Sequence, residues 1–498
     1  MTTVATRNDR HPAGAADEVG TVHGDPVAAF SLPVPAGVPR RLAVGWLLLG
    51  LGSLVGAGVF AILLVLSRTP YLDRHFPWID FFHTALVVHV DLSVLVWFLA
   101  FAGVFWSLNP VRRGRSWGWA ALAVATAGTL IMAGSPFLGA AQPLMSNYVP
   151  VLQDPLFLSG LILFAAGVAI QVALSLCCAQ PIGVLASGAG ALRFGINTAA
   201  IAAAIALLAF ALSYLSTPPD LLGRAYFEQL FWGGGHVLQY THTQLMLVAW
   251  LWLAAGGRVR LPLSPRVVLA LFAWGLLWVF LTPVAYLAYS PASVQFHRFF
   301  LWLMAFGGSL AAVPIALAVL YGVATAAAAP LLGAPQRAAL LSSVLLFGVG
   351  GILGLLIHGN NVTVPAHYHG CIVAVTLAFM GMTYELLPRL GFRTPTPRAA
   401  HWQPYLYGGG ELLHIAGLAW AGGYGVSRKV AGAAQGLHGW QENAAMGLMG
   451  VGGLVAVAGG ILFLVVCFAA LHRPRSPAHA SGAQPRSPGA PVPDLKAH

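Results

Sequence analysis

The sequence predicts an all-α membrane protein that crosses the bilayer twelve times. Three observations carry that expectation. Of 498 residues, 58% are apolar and only 8% are charged, whereas soluble domains carry about 25% charged residues. Breaks at Pro, Gly and polar clusters divide residues 41–472 into apolar runs, each long enough for ~30 Å of hydrocarbon. Nineteen of the 25 Lys and Arg fall on one side of the layout so defined, as basic residues do in cytoplasmic loops.

In order, run 43–67 follows Arg40 and Arg41, and run 81–107 stops before Asn109-Pro110. Run 117–135 follows Arg112, Arg113 and Arg115, and run 156–178 opens just after Asp154-Pro155. Run 192–215 ends before Pro218-Pro219, and run 227–255 before Gly256-Gly257. Runs 266–288 and 299–322 flank Pro291. Runs 337–358, 363–390, 404–425 and 444–471 complete the set. An even number of crossings puts both termini on one side, and the basic bias makes that side cytoplasmic. The net charge of +11 is therefore a topology signal and not a nucleic-acid surface, and the lipid bilayer is the large partner. A bacterial or archaeal cell membrane is the expected location.

Residues 1–40 lack the basic, apolar and small-residue succession of a cleaved signal peptide, and 473–498 are rich in Pro and Ala. Both read as disordered cytoplasmic tails around one membrane domain, 41–472. Cys177, Cys178, Cys371 and Cys467 form neither C-x-x-C nor C-x-x-C-H, so neither a structural zinc site nor covalent haem attachment is encoded. They read as small apolar residues.

Ionisable residues inside spans are expensive and point to function. This chain has His83, His89 and Asp91 in run 2, His236 and His242 in run 6, His367 and His369 in run 10, and Glu411 and His414 in run 11. Runs 2, 6 and 10 all start at the outer surface. At 1.5 Å per residue, His89, His236, His367 and His369 lie at depths that agree within about 8 Å. A single intramembrane histidine is often a helix–helix hydrogen-bonding group. Four in one layer suit a buried metal or haem plane.

Residues two apart on a helix point about 200° apart. His367 and His369 therefore cannot readily grip one ion, but each can ligate a flat cofactor on its own flank of run 10. Neutral imidazole is a good axial ligand for haem iron. His236 and Tyr240 are four apart and share a face, which places a phenol beside an imidazole. His83 and His242 read as structural. Asp91 fits either a hydrogen bond to a neighbour or a proton path. Glu385 is read as pairing with Arg389 four residues on.

Four stretches resemble subunit I of the haem-copper oxidase superfamily, which includes the nitric oxide reductases. They are "VVHVDLSVLVWFLAF", "LFWGGGHVLQY", "VPAHYHG…MGMTYELLP" and "GVSRKVAGAAQGLHGWQENAAMG". The resemblance implies a twelve-helix bundle with two haems, one low-spin on His89 and His369 and one high-spin on His367. It implies that His236 ligates an active-site copper, that Tyr240 is its redox partner, and that Arg428 and Lys429 bind haem propionates. It further implies a terminal oxidase of the cytochrome c oxidase kind. Electrons from a donor subunit, or from a cytochrome c-like or cupredoxin partner, would reduce O2 to water in a respiratory chain.

The chain departs from that pattern in its seventh helix. The family's adjacent histidines are replaced at about Ala285 and Tyr286, and no His-His occurs anywhere. His297 reads as an interfacial residue more readily than as a substitute ligand. One imidazole rarely holds copper, so the copper site is incomplete. Nitric oxide reduction is disfavoured because "HVLQYTHT" lacks the carboxylate of those reductases. A copper-free dihaem relay or gas sensor remains open beside the oxidase, and a transporter would bind no haem.

Overall fold

The computed structural model describes residues 30–70, 81–109, 114–139, 142–183, 186–326 and 335–472. Most of the two expected tails and the basic residues Arg112 and Arg113 lie outside the described residues. Residues 30–37 do not behave as tail: they are not helical, but Phe30 and Leu32 are buried in the core. Packing therefore begins ahead of residue 41.

The described chain is twelve long helical segments. These are α1 (Val38–Arg68), α2 (Phe82–Leu108), α3 (Ser116–Phe137), α4 (Pro155–Cys177), α5 (Gly188–Ser216) and α6 (Gly223–Gly256). They continue with α7 (Pro265–Ala288), α8 (Val294–Thr325), α9 (Pro335–Leu355), α10 (Thr363–Arg389), α11 (Pro397–Gly423) and α12 (Trp440–Leu471). Ten are long and apolar enough to cross a membrane. The exceptions are α6 and α11, which carry His236, His242, Glu411 and His414. Their polar residues, which face inward, lower their hydropathy: all four are buried.

Local chemistry sets the helix starts. Asp154 caps α4 by accepting from the Phe157 amide at 3.1 Å, ahead of Pro155. Ser187 does the same for Gly190 in α5 at 3.0 Å, and Ser293 for Phe296 in α8 at 3.1 Å. Each satisfies an amide that the first turn leaves without a helical partner. Two helices change pitch. Asp91–Val96 in α2 and Leu303–Gly308 in α8 are π-helical, a widening often found at functional sites.

Helices adjacent in sequence pair: α3 with α4, α5 with α6, α9 with α10, and α11 with α12. Small residues allow close approach, as is usual where lipid gives no hydrophobic drive between helices. At the α9–α10 contact a Cβ on Gly350 would meet the Cys371 amide nitrogen at 2.7 Å. α10 is buried along nearly its whole length and forms the centre of the bundle. The outer surface carries Leu, Val, Ile, Phe and Trp side chains, as a lipid-facing belt does.

Two short strands, β1 (Gln142–Leu144) and β2 (Val151–Gln153), form an antiparallel hairpin between α3 and α4. It packs against α2, and its connecting loop reaches the interior.

Candidate functional site

The two histidines at the head of α10 turn to opposite flanks. His367 faces α9, where its Nδ1 donates to the Gly350 carbonyl at 2.7 Å. Gly354 lies against the ring, with no room for a Cβ. His369 faces α11, where its Nδ1 stands 3.6 Å from Glu411 Oε2. His414, one turn beyond Glu411, packs on the His369 ring at 4.9 Å between centroids and donates from Nδ1 to Met449 O at 3.0 Å.

His89 completes this second group. Its Nδ1 donates to Ala57 O of α1 at 2.9 Å, and it interacts electrostatically with both His369 and Glu411. His89 and His367 thus share one arrangement, with Nδ1 on a backbone carbonyl of another helix. A carbonyl can only accept, so the His89 and His367 rings keep their hydrogen on Nδ1 and leave a lone pair on Nε2; His369 turns its Nδ1 towards the Glu411 carboxylate at 3.6 Å. All three rings are half-buried.

A cation sits beside this pair. Arg68, at the end of α1, has Nε and Nη2 buried with no hydrogen-bond partner among the described residues. Its charge acts on His414 and Tyr368. Buried guanidinium N–H groups without partners are costly, and an anionic group would satisfy them. Sequence reading passed over Arg68 because it resembled an ordinary end-of-helix basic residue.

The loop before α12 docks on the start of α10: the Val362 amide donates to Val426 O at 3.0 Å, and Asn361 bridges Ser427. Arg428 Nε donates to Asn360 Oδ1. Lys429, at φ 61°, donates from Nζ to Met145 O at 2.8 Å and to Asn147 Oδ1 at 3.1 Å. Burial, and next the Arg428 charge, push the Lys429 ammonium down to about 8. His83 Nε2 accepts no metal role here; it meets Lys429 O at 3.1 Å, as a structural histidine would.

His236 stands apart from these groups. Its Nδ1 donates to Trp232 O at 2.8 Å, and its Nε2 lies 2.7 Å from the hydroxyl of Tyr148. Tyr148 comes from the hairpin loop and was not foreseen; the only hint was the Gly-Gly-Gly before His236. The expected neighbour, Tyr240, turns elsewhere and donates to Leu303 O of α8 at 2.5 Å. So the phenol on the imidazole is Tyr148, because the α8 π segment offers Tyr240 a carbonyl.

The substituted seventh-helix pair is also spoken for. Ala285 is buried, and Tyr286 shares a hydrogen bond with Ser213 at 2.8 Å and donates to Ala209 O at 2.9 Å. His297 packs on the Trp232 ring at 4.5 Å and donates from Nδ1 to Ser293 O at 2.8 Å. Among the described residues no three His, Cys, Asp or Glu are grouped to hold a metal ion. His242 packs on Phe98 at 4.9 Å, consistent with a structural role. Asp91 is buried with both carboxyl oxygens unpartnered among the described residues. Glu385 pairs with Arg389, as its spacing predicts, and accepts from Gln336 at 2.9 Å.

The family described as Cytochrome C and Quinol oxidase polypeptide I matches residues 41–475. The chain belongs to this family. Polypeptide I members form part of the haem-copper oxidase superfamily, and this chain is an oxidase-like, multi-pass membrane subunit. An uncharacterised protein of Rickettsia prowazekii (strain Madrid E) is 28% identical over 86% of this chain and 95% of its own length. One from Aquifex aeolicus (strain VF5) is 31% identical over 70% of this chain and 85% of its own. Among solved structures, a heme-copper terminal oxidase dimer has a chain that aligns with TM-score 0.68 and 17% identity, over 89% of this polypeptide and 85% of that one. That likeness is one of fold.

Proposed function

We propose that this polypeptide I chain is a dihaem membrane oxidoreductase that carries electrons from a bis-imidazole haem to a second haem, where O2 is reduced. One observation carries the reading: His89 and His367 each fix Nδ1 to a backbone carbonyl on another helix, and His369 turns Nδ1 towards Glu411 of α11 at 3.6 Å, so that Nε2 of each ring is free to ligate. Metal-ligating imidazoles are held in this way, with a second group setting tautomer and orientation. The buried Nε and Nη2 of Arg68, unpartnered among the described residues, support a porphyrin with carboxylate side chains at the same place.

Haem, when bound, supplies electron transfer and the binding of diatomic gases. His89 and His369 would hold one haem between them, and two imidazoles on one iron suit electron transfer. Glu411 beside His369 Nδ1 strengthens that imidazole as a donor. His367 would hold the second haem alone, and a haem held by one imidazole can bind a small ligand. Arg68, Arg428 and Lys429 place positive charge where propionates would lie.

Copper does not fit equally well. His236 has both ring nitrogens engaged, Tyr286 and His297 are committed to other groups, and no three-residue metal cluster occurs among the described residues. This favours a second reading, a copper-free dihaem protein that relays electrons or binds a gas without turnover. The electron donor, the crossing of the membrane by α6 and α11, the cell-membrane location and the cytoplasmic termini belong to the same proposal.

The test is to purify the protein, count haem per polypeptide, record CO binding to the reduced form, and measure O2 uptake with an artificial donor. Two haems, one binding CO, with O2 uptake support the oxidase; two haems without uptake support the relay. His369→Ala should abolish the six-coordinate spectrum and leave CO binding intact. Unchanged spectra would refute the ligand assignment.

A further inference from the structure

Tyr148 stands in an unusual backbone conformation. Its φ is 67°, and the Val149 amide donates to Asn147 O at 2.9 Å across it. This is a γ-turn of the positive-φ kind, which is rare and strained. Three contacts hold it. Ser146 Oγ donates to Val149 O at 2.5 Å, and Lys429 Nζ clamps Met145 O and Asn147 Oδ1. Gly235 in α6 receives the ring: a Cβ there would meet Tyr148 Cγ at 2.3 Å. The turn and the glycine together aim one phenol at one imidazole.

The hydrogen positions follow from the partners. Trp232 O can only accept, so the neutral His236 ring carries its hydrogen on Nδ1. Nε2 is therefore the acceptor and the Tyr148 hydroxyl the donor, at 2.7 Å. Burial, with the Glu228 carboxylate adding to it, raises Tyr148 far above the ordinary phenol range, so it does not ionise on its own. Tyr240 donates instead to a backbone carbonyl, Leu303 O, which is far too weak a base to take a proton.

We propose that Tyr148 and His236 form a metal-free redox pair in place of the family's second metal, with Tyr148 and not Tyr240 as the electron donor. The step is balanced as follows. The O–H bond of Tyr148 breaks, its proton forms an N–H bond at His236 Nε2, and one electron leaves for a strong one-electron oxidant, which haem raised above the ferric state by peroxide would supply. The products are a neutral tyrosyl radical and an imidazolium. Loss of the electron alone would leave a cationic phenol in a low-dielectric interior, and loss of the proton alone a buried phenolate, both costly. Moving both avoids either charge on the phenol. The inference rests on the dihaem reading above for its oxidant.

The experiment uses the full-length, detergent-purified protein from copper-replete cells, with haem and copper counted on every sample. Samples are treated with hydrogen peroxide, frozen and examined by electron paramagnetic resonance, with ring-deuterated tyrosine to identify the radical. Wild type is expected to hold no stoichiometric copper and to give a tyrosyl signal that Tyr240→Phe retains. Tyr148→Phe should reduce it at least tenfold, and so should His236→Leu, which keeps the phenol and removes the base. The proposal is overturned if Tyr148→Phe and His236→Leu leave the signal unchanged while Tyr240→Phe removes it. It is equally overturned if wild type with two haems gives no tyrosyl signal, or holds one copper that His236→Leu loses. A haem-free wild type refutes the dihaem reading itself, whereas full haem with a misplaced radical refutes only this inference.

Discussion

His369 and Glu411 show how one neighbour sets the chemistry of a side chain. An imidazole whose Nδ1 faces a carboxylate at 3.6 Å is a stronger donor at Nε2, and loss of such supporting groups weakens metal binding about 10–100-fold. Glu411→Gln should keep the six-coordinate spectrum, speed haem loss by about that factor, and raise the midpoint potential because a nearby anion has gone. Haem transfer to a scavenger protein and a redox titration measure both. Lys429 yields a pH prediction. Its ammonium titrates near 8, lowered chiefly by burial, so it is charged below that pH and neutral above it. Propionates favour the charged form, so haem retention should fall as pH rises through about 8. The pH dependence should flatten in Lys429→Met.

At the scale of elements, the α9–α10 contact determines whether His367 is held. Gly350 supplies the carbonyl that takes His367 Nδ1–H, and a Cβ at Gly370 would meet Gly350 Cα at 2.5 Å. Gly370→Val pushes backbone against backbone, an overpacking that typically costs about 1–3 kcal/mol. Its effect should be local: CO binding at the His367 haem is lost or slowed while the His89–His369 spectrum, on the opposite flank of α10, persists. Equal loss of both spectra would show that the flanks are not independent. The π segments belong to this scale too. In α8 the widened turn presents Leu303 O to Tyr240, which is why a phenol four residues from His236 does not meet it.

For the whole molecule, the distribution of basic residues predicts orientation. A fluorescent reporter fused at the C-terminus should be active in the cytoplasm, and a cysteine placed in the hairpin at the exposed Gln142 should react with a membrane-impermeant thiol reagent added from outside. Reaction from the inside only would invert the assignment. The expected segments and the observed helices agree closely. Run 363–390 is α10 (Thr363–Arg389) and run 444–471 falls within α12 (Trp440–Leu471). Apolar length and Pro or Gly breaks are local properties that suffice to mark them.

The sequence by itself determined the helical membrane architecture, the opposite facing of His367 and His369, the Glu385–Arg389 pair, and the lack of an adjacent histidine pair. Each depends on composition or on spacing within one helix, where 100° per residue does the geometry. Only the tertiary structure decided which groups meet: Gly350 with His367, Ala57 with His89, and Tyr148 with His236. Their partners lie 17, 32 and 88 residues away, and no local period encodes a contact between helices. The burial of Arg68 Nε and Nη2 was equally hidden, because a helix-end arginine loses partners for its N–H groups only when the surrounding helices pack over it.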